Sequence, residues 1–282
     1  EELIGKKHSI VRHPKNPDSL YKEIWANLSD LKTWKGIIKN KNRDGKEYYV
    51  DITISPILDT LGKVVEYMSI SHDITKLVKL NKEIHDTQRE IVLTVGTIGE
   101  FRSQETGLHV KRVAEYSYLL ARIIGLSEEE AKLIKISSPL HDIGKVAIPD
   151  KILNKPAKLT EDEFSEMKKH TLFGFQMLNI SDRPIIKTAA IIAKEHHERW
   201  DGKGYPYGLK EDQTSIYGRI VGLVDVFDAL CSERCYKHAW SIDEVLAYMK
   251  EERGKQFEPL LVDMFFKNID FFLEIKNKYK DS

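Results

Sequence analysis

The sequence predicts an α+β chain with an antiparallel sheet near its N-terminus, a long connecting helix and an all-α C-terminal bundle. Three observations predict it. Residues 47–72 alternate apolar and polar side chains, residues 77–98 carry apolar residues three and four apart, and beyond residue 100 the apolar spacing stays helical almost to the end. At 282 residues the chain exceeds the usual size of one domain, so a small module followed by a larger one is expected.

The sheet comes first. A short helix is expected over Tyr21 to Leu28. Runs at Trp34–Lys41, Glu47–Leu58 and Lys63–His72 then read as strands, separated by turns at Asp44-Gly45 and at Asp59 to Gly62. After Asp73 the period changes: Leu77, Leu80, Ile84, Thr87, Ile91, Thr94 and Ile98 form a heptad seam, the pattern of a parallel two-chain connector. The other reading of that stripe is an apolar face packed on the chain's own C-terminal domain. Ser127–Glu130 and Thr160–Glu163 have the spacing of capping boxes and should start helices. Further helices are expected over Pro184 to His197, Arg219 to Cys231, Ile242 to Glu251 and Leu260 to Phe272. The boundaries follow: a sheet domain over 1–75, a helical linker over 76–100 and a helical domain over 101–282.

Formal charge balances, with 44 bases against 44 acids, which excludes broad electrostatic binding to nucleic acid or a membrane surface and leaves any phosphate recognition to local groups. No apolar run approaches the ~20 residues of a membrane-spanning helix, and a cytoplasmic setting is expected. Cys231 and Cys235 are too few for a closed zinc site and read as reduced thiols.

Chemistry concentrates in the helical half. His109, His141, His170, His196 and His197 all lie there beside polar or charged residues. Glu105 stands four before His109, so on a helix both would project from one face toward a single cation. His141-Asp142 pairs an imidazole donor with a carboxylate able to bridge two ions. Asp225 sits in an otherwise apolar helical stretch, where an isolated carboxylate is costly unless paired or bound to metal. Lys145, four after His141, would be aimed at the same place by continued helix; an anion must then lie between it and a cation, and a substrate phosphate suits. Gly144 leaves room for close approach.

These residues carry a family resemblance. His141-Asp142 is the doublet of the HD superfamily, and residues 196–206, HHERWDGKGYP, closely resemble the HHExxDGxGYP signature of its HD-GYP branch. The similarity runs from about Glu105 through Trp240. It implies a helical bundle with metals at its centre and hydrolysis of the second messenger cyclic di-GMP to pGpG, with further cleavage to GMP known in the family. By matching position, His109, His141, Asp142, His170, His196, His197 and Asp225 would be ligands, Asp142 the bridge, and Glu105 the carboxylate of a third ion. Two or three divalent ions are therefore expected; imidazole and carboxylate ligands suit several transition metals, and the resemblance favours iron or manganese. Asp142 and Lys145 are the expected catalytic residues, and Lys145, Arg234, Lys237 and Tyr205 the expected substrate contacts. The loop at Asp201 to Pro206 has a turn composition and, by resemblance, is also where a diguanylate cyclase partner would dock.

Residues 1–75 resemble the second half of a PAS domain, through the stretches 2–6, 9–14, 34–36 and 73–75. The part that normally precedes these is lacking, and no sensor cofactor is expected. His13 and Trp25 or Trp34 read as ordinary packing or surface residues that could also line a pocket. A homodimer through the linker helix completes the expectation. Two other readings stay open: a hydrolase of another cyclic dinucleotide such as cyclic GMP-AMP, and a non-hydrolytic nucleotide-binding signalling module.

Overall fold

A computed structural model describes residues 4–103, 107–232 and 239–280, and divides into two compact units, 1–87 and 88–282. In the first unit, α1 (Asp18–Ser29) precedes β1 (Trp34–Lys41), β2 (Glu47–Leu58) and β3 (Val64–Asp73), which form an antiparallel sheet in the order β1-β2-β3. Both turns are set by a side chain that mimics the backbone. Asn42 Oδ1 accepts from the Asp44 and Lys46 amides, and Asp59 Oδ1 from those of Leu61 and Lys63. Register then follows, pairing Ile38 with Val50 and Ile52 with Ser71.

Ile24 and Leu28 of α1 are buried with Trp34, Ile38, Val50 and Ile52 of the sheet, one small core. A cavity of about 620 Å³ lies beside it, lined in part by Tyr21, Trp25, Ile54 and Tyr67. Trp25 lines that cavity, whereas Trp34 belongs to the core and His13 is buried against Glu47, its Nε2 2.9 Å from Oε1.

Helix α2 (Thr75–Phe101) starts in the first unit and continues into the second. There follow α3 (Gly107–Ile123), α4 (Glu128–Ser137), α5 (Asp150–Leu153), α6 (Glu161–Lys168), α7 (His170–Leu178), α8 (Pro184–Glu195), α9 (Ile216–Cys231), α10 (Ile242–Glu251), α11 (Pro259–Lys267) and α12 (Ile269–Lys278). Capping boxes open α4 at Ser127 and α6 at Thr160, as their spacing predicts, and another opens α10 at Ser241. Val113, Tyr116 and Leu120 of α3 meet Ile220, Leu223, Val224 and Phe227 of α9 in the main core, closed by Phe265 and Phe272.

Two expectations need correction. The helix expected over Leu260 to Phe272 breaks at Asn268, whose side chain bonds back to the Met264 carbonyl at 2.9 Å and leaves the helical conformation. No α-helix continues from His141 to Lys145; the chain instead runs through short 3₁₀ turns at Ser138–Leu140 and Ile143–Ala147. The described helices include none long and apolar enough to cross a membrane.

The heptad residues Leu77, Leu80, Ile84, Ile91 and Ile98 are exposed. A different face of α2, marked by Gly96, Gly99 and Glu100, is the buried one. Ile91 and Ile98, which lie in the second unit, are therefore outside that unit's core.

Candidate metal centre

The separate helices place their functional groups at one point. His109 comes from α3, His141 and Asp142 from the 3₁₀ turns, His170 from the first residue of α7, His196 and His197 from the end of α8, and Asp225 from α9. Donor atoms of Asp142, His170, His196 and His197 lie within 4.8 Å of one another, as do those of His109, His141 and Asp225. Asp142 spans both groups. Its Oδ1 is 3.0 Å from His170 Nε2 and 3.5 Å from His196 Nε2, while Oδ2 is 3.4 Å from His141 Nε2. Asp225 Oδ1 lies 3.4 Å from His109 Nε2 and 3.7 Å from His141 Nε2.

The far ring nitrogens explain this aim. His141 Nδ1 donates to the Ser138 carbonyl at 2.9 Å, His170 Nδ1 to Met167 at 2.8 Å, and His196 Nδ1 to Ile192 and Ala193 at 3.0 and 3.1 Å. His109 Nδ1 lies 2.8 Å from Asp228 Oδ2. With Nδ1 carrying the proton, each Nε2 offers a lone pair inward, the tautomer a metal requires. Among the described residues, the Nε2 atoms of His141, His170 and His196 and the Asp142 Oδ1 are buried without a hydrogen-bond partner. Leaving such groups unsatisfied costs roughly 1–3 kcal/mol each, so a cage of them fits cations better than it fits an apolar core.

Electrostatics agree. Burial would raise the carboxyl pKa values of Asp142 and Asp225, but Lys145 and His141 around the first, and His141 and His109 around the second, outweigh it and hold both well below the usual range. Burial would lower His141, yet Asp142 and Asp225 push it well above its ordinary value: the centre attracts positive charge. His196 is lowered by burial, and His197 is lowered further by burial and by its neighbours His196 and His170.

Lys145 reaches the centre without a continued helix. Its ammonium is 2.6 Å from Asp142 Oδ2 and 3.1 Å from Glu100 Oε2. Gly144 also serves differently from expectation: a Cβ there would fall 1.9 Å from the His170 carbonyl oxygen, so the room it leaves is filled by α7. Tyr205 packs on the rim, its ring centroid 4.8 Å from that of His197. Its loop is fixed by Glu198, which accepts from the Tyr207 and Leu209 amides at 2.8 and 2.9 Å, a structural job for the glutamate of the signature. Glu105, Arg234, Lys237 and Cys235 lie outside the described residues. Cys231 is buried, its thiol pushed up to about 11 by burial, and stands apart from the histidine groups.

Sequence reasoning missed two residues. Glu100 joins His141 and Asp142 in a third set of donors within 4.8 Å. Asp228 accepts from Arg112 Nε at 2.7 Å and from its terminal nitrogen at 3.0 Å while holding His109. A signal for Asp228 existed: it lies three after Asp225 in the same apolar helix, so it shares that face.

This is a helical bundle with a buried, carboxylate-bridged histidine cage. The chain belongs to the HD domain family, whose model matches residues 88–261, and residues 1–71 match the PAS fold. It is 44% identical over 204 residues to a 3′3′-cGAMP-specific phosphodiesterase 2 of Vibrio cholerae, covering 72% of this chain and 39% of that protein. It is 43% identical to the cyclic di-GMP phosphodiesterase response regulator RpfG of Xanthomonas campestris, covering 71% and 52%, and 41% identical to a cyclic di-GMP phosphodiesterase of Thermotoga maritima, covering 71% and 54%. The chain thus spans roughly half the length of these relatives or less. A crystal structure of a cyclic GMP-AMP-specific phosphodiesterase from V. cholerae, V-cGAP3, shares the fold with a TM-score of 0.52 at 18% identity, over 68% of this chain and 53% of that one. Membership in the HD family implies divalent metal ions, and the donor set fits them.

Proposed function

We propose that the chain hydrolyses a cyclic dinucleotide, cyclic di-GMP first, at a metal centre held by His109, His141, Asp142, His170, His196, His197 and Asp225, with Glu105 as the added carboxylate of a third ion. The observation that carries this reading is the convergence of inward-facing imidazoles on Asp142. When bound, two such ions lower the pKa of water and neutralise phosphoryl oxygens. A nitrogen and oxygen donor set without thiolate suits several transition metals, and the family resemblance is what favours iron or manganese among them.

The chain's own residues do the rest. Asp142, anionic through its surroundings, spans both donor groups and fixes their separation. Lys145 presents its ammonium at this centre, and neutralises charge gathering on a phosphate placed there. Tyr205 walls the pocket beside His197. Arg234 and Lys237 are assigned, with Lys145, to the substrate phosphates. The linear dinucleotide pGpG is the first product, and GMP the second.

Around this core we assign residues 1–75 to a partial PAS-like regulator, 76–100 to a linker and 101–282 to the enzyme. The exposed stripe Leu77, Leu80, Ile84, Ile91 and Ile98 supports a homodimer through α2. The loop over Asp201 to Pro206 is the surface assigned to a diguanylate cyclase partner.

Cyclic GMP-AMP is the second reading, favoured by the relative at 44% identity. Metal-loaded protein offered both nucleotides at equal concentration, with Asp142→Ala as control, decides between them. Faster loss of cyclic di-GMP with pGpG accumulating is the expected result. Preferential loss of cyclic GMP-AMP selects the second reading, and no hydrolysis of either, or equal rates from the control, rejects both.

A further inference from the structure

The end of α2 sits against the HD turn more closely than a linker requires. A Cβ on Gly96 would lie 2.2 Å from the Pro139 carbonyl oxygen, and one on Gly99 3.3 Å from Ile143 Cδ1. Glycine at both positions lets the helix backbone lie directly on the segment that carries His141, Asp142 and Lys145. Two side chains then grip that segment. Arg102, just past the helix, donates to the carbonyls of Lys145, Val146 and Ile148 and pairs with Asp150 at 2.6 Å. Glu100, 1% exposed, receives the Lys145 ammonium at 3.1 Å and the Ser103 hydroxyl at 2.8 Å on the same oxygen.

We propose that Glu100 is a positioning residue, which holds the Lys145 ammonium at the metal centre and makes the C-terminal end of α2 a structural part of the catalytic site. The physical need is plain. Lys145 also pairs with Asp142, but a carboxylate that ligates cations has less charge left to hold an ammonium beside them. Glu100 supplies a second carboxylate on the other element, so the lysine keeps its place when Asp142 is engaged. The same geometry holds the backbone of Lys145 through Arg102, just past the end of α2.

The inference rests on the hydrolase reading, and its test separates the two. Glu100→Gln, Lys145→Met and the double variant are compared in the full chain. Glu100→Gln should lower kcat/KM on the cyclic dinucleotide roughly 10–100-fold, the usual scale for a residue behind the reacting groups. The double variant should be no slower than Lys145→Met alone, since Glu100 acts through that lysine. Glu100→Asp should recover part of the loss. Metal content by elemental analysis should equal wild type. Labelling of Lys145 by a small amine-reactive reagent, read by mass spectrometry on metal-loaded protein, should rise in Glu100→Gln, where the ammonium is less held. A loss of bound metal would make Glu100 a ligand and overturn the proposal, as would multiplicative effects in the double variant or unchanged labelling. Wild-type protein inert on cyclic dinucleotides would instead sink the hydrolase reading, while labelling still decides whether Glu100 places Lys145.

Discussion

Asp228→Asn probes the support of the centre without touching its inner donors. In the native chain both carboxylate oxygens are committed: Oδ1 takes Arg112 Nε at 2.7 Å, and Oδ2 takes His109 Nδ1 at 2.8 Å with an Arg112 terminal nitrogen at 3.0 Å. Both acid and arginine are buried. Burial alone would raise the Asp228 pKa, but His109 and Arg112 outweigh it and hold the group as an anion. Asparagine keeps the shape and removes the charge. Arg112 keeps its contacts to the Ser232 hydroxyl and the Tyr279 carbonyl. Breaking a buried ion pair on one side costs about 3–5 kcal/mol, which for a unit of this size lowers Tm by roughly 6–20 °C. The new amide also turns an N–H toward His109 Nδ1, favouring the tautomer that carries its proton on Nε2, so metal affinity should fall roughly 10–100-fold. Thermal unfolding of metal-free protein by circular dichroism and metal titration by isothermal calorimetry measure the two effects. Wild-type Tm together with wild-type affinity would refute the reasoning.

Three further outcomes follow from the same geometry. Gly144→Ala drives a methyl into the His170 carbonyl, so the turn or α7 must shift; a destabilisation of about 1–3 kcal/mol and loss of bound metal are expected, and a variant with native Tm and metal content would contradict this. His197 is held well below its ordinary pKa by burial, His196 and His170, so below pH ~6.5 the unfolded chain takes up a proton that the folded chain refuses. Metal-free protein should therefore lose stability as pH falls through that value, and His197→Gln should flatten this acid limb; an unchanged slope would contradict the assignment. His141 has the opposite sign: raised by Asp142 and Asp225 against burial, its contribution is complete below pH ~6.5 and is lost as pH rises through its folded value, so His141→Gln should flatten the alkaline limb of the same Tm profile.

How much was legible in the sequence varies with the physics behind each element. Strand β2 lies at the residues its alternation marks, and α4 and α6 start where their capping boxes predict, because both are local signals. The break at Asn268 was not legible, since the apolar spacing of α11 continues across it into α12 and only a side chain turning back onto Met264 ends the helix. The inner donors were gathered by motif, and those among the described residues do converge. Their support was harder to see. Asp228 looks like any acid near a helix end until Arg112, 116 positions earlier, is brought beside it. Glu100 belongs by sequence to a linker whose heptad points elsewhere, and only the close approach at Gly96 turns its carboxylate inward. Gly144 was legible as a place of close approach but not for what approaches, because the neighbour, His170, is remote in sequence.

The most direct measurement is a crystal structure of the metal-loaded chain with anomalous scattering recorded at the metal edge. The account predicts about two to three ions per chain, with neighbouring ions roughly 3.5–4 Å apart and Asp142 between a pair of them, and their absence from Asp142→Ala. Ions bound elsewhere, or a single ion that Asp142→Ala retains, would contradict it.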